Sequence, residues 1–98
     1  MRLSRLRKIA RLLERDFVLK YKSLRELPNS ERHYGDCSSD KRIRVRLKQR
    51  NRNVDLADST VLHTLCHEFA HLACWEHGAK HRAILRLMLR RAKELIDN

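Results

Sequence analysis

Apolar residues in the first quarter of the chain recur in steps of three and four. Leu3, Leu6, Ile9, Leu13, Phe17 and Tyr21 fall on one stripe, and Arg and Lys fill the other faces. That period predicts an amphipathic helix over residues 2–25. Leu27-Pro28-Asn29-Ser30 ends it, because the residue before a proline avoids helical backbone angles. Residues 31–40 read as turn with a short strand, and Gly35-Asp36 is a turn signal. The period then changes to two. In RIRVRLK, residues 42–48, Ile43, Val45 and Leu47 share one face and Arg42, Arg44, Arg46 and Lys48 the other. This predicts a half-buried strand with a basic outer face. Residues 51–53 make a turn, and Val54 or Leu56 can add a second short strand. The helical period returns from about residue 59 to 74, with Leu62, Leu65, Cys66, Phe69, Leu72 and Ala73 inward and Asp58 or Ser59 as N-cap. A last helix covers about 79–96, with Ile84, Leu85, Met88, Leu89, Ala92, Leu95 and Ile96 inward. The expected class is α+β: an N-terminal helix, a small antiparallel or mixed sheet of short strands, a central helix and a C-terminal helix.

Composition narrows this picture. Residues 1–98 are expected to form one domain, with a thin core that a metal site would help to hold. Only two Gly and one Pro argue against a disordered chain. The formal charge of +11 exceeds what solubility requires and points to a polyanionic partner, nucleic acid before an acidic membrane surface. The acid-free run Lys41–Arg52, with Arg42, Arg44, Arg46 and Lys48 on the strand, is the expected contact surface. Three cysteines, Cys37, Cys66 and Cys74, do not suggest a disulfide framework. Cys66 and Cys74 stand two turns apart on one helix, roughly 12 Å along its axis, and cannot bond to each other. MRLSRLRKIARLL has no unbroken apolar run, so no membrane span is expected. Its resemblance to a transit peptide is countered by Glu14 and Asp16, which leaves the cytoplasm as the expected compartment.

The chemistry concentrates in HTLCHEFAHLACWEHGAKH, residues 63–81, which holds five of the six histidines. His67-Glu68-Phe69-Ala70-His71 is H-E-x-x-H. On a helix the two histidines lie one above the other and can share a zinc ion. Glu68, turned aside by one residue step, can hold the zinc-bound water and act as general base. A catalytic zinc needs a third protein ligand. His77, six residues after His71, qualifies if the helix ends near Cys74–Glu76 and the chain folds back, which Gly78 would ease. His81, at i+4 from His77, and Glu94 on the last helix are the alternatives. His63 reads as a neighbour of the ligands or a solvent-facing residue. Cys37 reads as a loop cysteine, with a second reading in which its thiolate blocks the zinc in a latent form.

His67-Glu68-Phe69-Ala70-His71, followed by His77-Gly78, resembles the SprT-like zinc metallopeptidases, including the WLM and YgjP types with the same step to the third histidine. Tyr34-Gly35-Asp36-Cys37 before RIRVRL is similar to the family's segment ahead of the active-site helix. The resemblance spans nearly the whole chain, although only the zinc motif is specific. It implies Zn2+ on His67, His71 and His77, Glu68 as base, and cleavage of protein or peptide substrates, in some branches proteins on DNA. The chain departs from the pattern at His81, where the family usually has an aromatic residue. Two other classes compete. Bacterial endoribonucleases of rRNA maturation share the histidine spacing but lack the glutamate after the first histidine. A non-catalytic nucleic-acid-binding module with a structural zinc needs no such glutamate at all. On the peptidase reading, the edge of strand 42–48 is expected to pair with an extended substrate.

Overall fold

A computed structural model describes residues 1–97. Helix α1 (Leu3–Phe17) is followed by strands β1 (Ser23–Glu26), β2 (Gly35–Cys37) and β3 (Arg42–Val45), then helices α2 (Asp58–Ala73) and α3 (Ala79–Asp97). The strands form one mixed sheet in the order β1-β3-β2. β1 runs parallel to β3, with Leu24 opposite Ile43, and β2 runs antiparallel to it, with Gly35 opposite Val45 and Cys37 opposite Ile43. The α+β class expected from the two periodicities is the one observed.

The first helix is shorter than its period predicts. Leu6, Ile9, Ala10 and Leu13 are buried as expected. The helix stops at Phe17 because Val18 adopts the left-handed conformation, φ 53°. The Val18 N–H donates to the Arg15 carbonyl at 3.4 Å and the Leu19 N–H to the Glu14 carbonyl at 3.0 Å, the paired bonds that close a Schellman turn. A β-branched residue costs about 1 kcal/mol there. The tertiary gain is larger. Residues 23–26 become β1, which covers the far edge of β3 and buries Leu24, while Leu27 just beyond it is fully buried. Tyr21 leaves the helical stripe and packs edge-on against Phe69, ring centroids 5.3 Å apart. Long-range strand pairing therefore overrides a local pattern that runs on through Tyr21.

β3 delivers the expected alternation only at first. Ile43, Val45 and Leu47 are buried and Arg42 and Arg44 exposed. Arg46, expected on the basic outer face, is instead 4% exposed. The pleat ends at Val45, and the Arg46 N–H donates to the Tyr34 carbonyl at 2.7 Å. The guanidinium turns inward, donates through Nη1 to the Glu31 carbonyl at 2.7 Å, and lies over the Tyr34 ring at 4.6 Å. The expected strand at Val54 or Leu56 reduces to one bridge between Lys48 and Asp55.

α2 is the central element of the core. Val61, Leu62, Leu65, Cys66, Phe69 and Ala70 are buried against the sheet and α3, as befits a helix apolar on most faces. Its N-cap is Ala57 rather than Asp58 or Ser59, and no side chain caps it. Asp58 lies in the first turn, 3.8 Å from the Arg5 guanidinium. α3 returns along α2 and buries His81, Met88 and Ala92, with Ile84, Leu85, Leu89, Leu95 and Ile96 packed against the core. All three cysteines are free. No described helix is long and apolar enough to cross a membrane.

Candidate metal centre

α2 presents His67 and His71 one turn apart, ring centroids 5.0 Å apart. The helix ends at Ala73, and Cys74 takes an extended conformation, φ −148° and ψ 103°. That break is what His77 requires. The chain turns back and brings the His77 Nε2 to 3.1 Å from the His67 Nε2. Gly78 makes the reversal without a left-handed φ, and a Cβ there would touch nothing within 4 Å. Its carbonyl accepts the Arg82 N–H at 3.0 Å and so opens α3. The reversal therefore rests on Cys74, not on a glycine-only conformation.

Four histidines converge. One ring nitrogen each from His67, His71, His77 and His81 lies within 4.8 Å of the others. Tautomers follow from the acceptors. The His71 Nδ1 is 2.8 Å from the Trp75 carbonyl, which can only accept, so Nδ1 carries the proton and Nε2 keeps its lone pair. Burial, with His81, His71 and His77 close by, holds His67 down at about 4, and burial also lowers His71. Both are therefore neutral near pH 7, the form a metal needs. A tetrahedral ion bound by nitrogen at about 2.0–2.1 Å sets neighbouring ligand nitrogens roughly 3.3 Å apart. The 3.1 Å between His67 and His77 matches that spacing. The donor set, all imidazole, suits a borderline-soft divalent ion. The cluster is capable of holding a metal.

Glu68 is 6% exposed. Burial raises its carboxyl to about 7, and the nearby Asp36 charge adds to the shift. It lines a cavity of about 740 Å³ together with His67, His71, His77, Trp75 and Gly35. The wall opposite α2 is β2. An added Cβ at Gly35 would stand 2.6 Å from the Thr64 Cγ2 and 2.8 Å from the Arg44 carbonyl. Only glycine lets β2 approach α2 this closely at the turn that carries Glu68.

The remaining candidates lie elsewhere. Glu94 stands exposed on α3, 3.0 Å from the Arg91 guanidinium, and takes no part in the cluster. His63 is exposed and lines a side cavity with Tyr34, Thr64 and Glu68. Cys37 is in the cavity wall but outside the histidine group. Burial, reinforced by the Glu68 charge, pushes its thiol up to about 11, which disfavours the thiolate. Sequence reasoning missed Trp75, whose carbonyl orients His71 and whose exposed ring stands 5.7 Å from it. A tryptophan past a helix end gives no local signal of that role. It also put strand 42–48 at an edge, whereas β3 is central and β2 is the edge beside the cavity.

No protein-family model and no curated protein sequence matches the chain. Its fold is similar to that of Wss1 from Saccharomyces cerevisiae. The TM-score is 0.81 over 97% of this chain and 79% of that chain, at 22% sequence identity. A Wss1 mutant structure gives 0.80, with 21% identity and 97% and 80% coverage. At this identity the likeness establishes the architecture: the helix, sheet, helix and helix seen here.

Proposed function

We propose that residues 1–98 form a minimal zinc-dependent metallopeptidase domain of the SprT-like and WLM type. His67, His71 and His77 hold the ion, and Glu68 is the general base. The observation that carries this reading is Glu68. It is a buried carboxyl, one residue after His67 and in the same cavity as the converging imidazoles. A purely structural metal site gains nothing from an adjacent carboxylate that burial destabilises. Hydrolysis does, because a carboxylate within reach of a metal-bound water can take its proton. The fold shared with Wss1 supports the reading at the level of architecture.

The bound zinc would polarise the scissile carbonyl and stabilise the charge that develops on its oxygen. This chain's residues supply the rest. Glu68 takes the proton from the attacking water and passes it to the leaving amine. The Trp75 carbonyl fixes the His71 tautomer. The free edge of β2, Gly35–Cys37, takes an extended peptide backbone to backbone, in place of the edge expected from strand 42–48. Association with nucleic acid is supported by the charge of +11. The exposed Lys8 and Arg11, neighbours three residues apart on α1 that make no ion pair among the described residues, offer a surface for it.

The test is proteolysis of a basic DNA-binding protein by zinc-loaded protein, with and without single-stranded DNA, against Glu68→Gln. Cleavage is expected to fall by about 10²–10⁴ in the variant while zinc stays bound. RNA cleavage that needs the histidines but not Glu68 would make it a nuclease. Bound zinc with no cleavage of either substrate would make it a binding module.

A further inference from the structure

His81 sits where a three-histidine site has no use for an imidazole. It lies in the first turn of α3 and is 2% exposed. Its Nε2 is 3.1 Å from the backbone carbonyl of His67. A carbonyl only accepts, so Nε2 carries the proton and Nδ1 has a lone pair. Nδ1 makes no hydrogen bond among the described residues, yet it is not a sealed-off orphan there. The ring centroid is 4.4 Å from that of His71, 4.7 Å from His67 and 5.2 Å from His77. These separations match those among the other three rings, 4.6–5.1 Å. If an apolar ring were all the position required, a phenylalanine would fill it without burying two polar nitrogens.

We propose that His81 is a fourth protein ligand to the same ion, through Nδ1, so that this chain encloses its metal in four imidazoles. The proposal rests on the zinc reading above for the presence of the ion, but not on Glu68 or on peptidase activity. The hydrogen bond from Nε2 to the His67 carbonyl ties the start of α3 to the metal helix and fixes the tautomer that frees Nδ1. Four protein ligands saturate a tetrahedral ion, whereas three leave a position open. His81 then caps the ion in a resting form: it fills the position that the attacking water needs, so the hydrolysis proposed above requires His81 to leave, and its removal opens that position.

The decisive measurement is the metal's surroundings in the wild-type chain. X-ray absorption of the zinc-loaded protein is expected to count four imidazoles. The visible spectrum of the cobalt-loaded protein is expected to change little with azide, since no position is free. His81→Phe, which keeps a buried ring, is expected to count three and to shift its spectrum at millimolar azide. Three imidazoles in the wild type, with an azide response equal to that of His81→Phe, would overturn the proposal. If the variant does not fold, the wild-type count decides alone. Four imidazoles without peptide cleavage would leave this assignment standing and remove the peptidase reading. Cleavage with three would do the reverse. A wild-type chain that binds neither metal overturns both.

Discussion

The strand segment 42–48 and the histidine cluster each bring together four side chains of one type, and the fold treats them in opposite ways. The four cations of the strand each have a partner within the protein, although the buried Arg46 Nε makes no hydrogen bond. Arg42 pairs with Asp40 at 2.7 Å, Arg44 with Asp36 at 2.6 Å, and Lys48 with Asp55. Arg46 is spent on the Glu31 carbonyl and the Tyr34 ring. In the cluster, the N–H groups of His71 and His81 go to backbone carbonyls, and their other nitrogens make no hydrogen bond among the described residues. A run of one residue type therefore points to an external partner only where the binding atoms are not already used. By that measure the imidazoles keep ring nitrogens free for a ligand, Arg46 is internal structure, and the exposed Arg42 and Arg44 are already paired within the chain.

The contrast can be sharpened first at Glu68, where the largest effect is expected. In the metal-free fold its carboxyl holds a proton up to about 7, against 4.5 ordinarily. Between those values the folded state binds more protons than the unfolded one, so stability falls as pH rises through that window. Glu68→Gln removes the penalty. Urea unfolding of metal-free protein should show the variant more stable than wild type by up to about 3 kcal/mol at pH 8, and little different at pH 4. An equal stability gap at both pH values would mean that the carboxyl is not held neutral by the fold.

Arg46→Ala tests the other side. It leaves the Glu31 carbonyl without its partner and removes the stacking on Tyr34. A loss of about 2–3 kcal/mol in chemical denaturation is expected. A surface arginine would cost far less, so a change within 0.5 kcal/mol would return Arg46 to the exposed face.

Gly35→Ala follows, at about 1–3 kcal/mol. The added methyl meets the Thr64 Cγ2 and the Arg44 carbonyl, and it pushes β2 away from the turn bearing Glu68. Cleavage should drop with stability. Unchanged thermal unfolding would show that the two elements are not so tightly apposed.

The smallest effect is expected at Arg42→Gln. Its ion pair with Asp40 is exposed, so stability should move by less than about 0.5 kcal/mol. The salt dependence of nucleic-acid binding should also hold its slope. A fall in slope of about 1 would mean that Arg42 reaches phosphate after all and would break the contrast.

What the sequence determined by itself is what depends on near neighbours along the chain. The helical period placed α2 and α3 within a residue or two of their observed bounds, and the alternation of Ile43, Val45 and Leu47 placed the buried face of the strand. The i, i+4 spacing put His67 and His71 on one helical face, and the step to His77 required the helix to end near Cys74–Glu76; it ends just before, at Ala73. Tertiary structure decided the rest. Residues 23–26 leave the helix because β3 has an open edge that only long-range pairing can fill. β3 is central and β2 is the edge, since strand order is set by packing that no local pattern records. Arg46 is buried because Glu31 and Tyr34 meet it across a turn. Of the alternatives left open for a third ligand, His77 and His81 both join the histidine group and Glu94 stays outside it, because α3 folds back along α2. Periodicity reports which face a side chain takes; only the folded chain sets which partners that face meets.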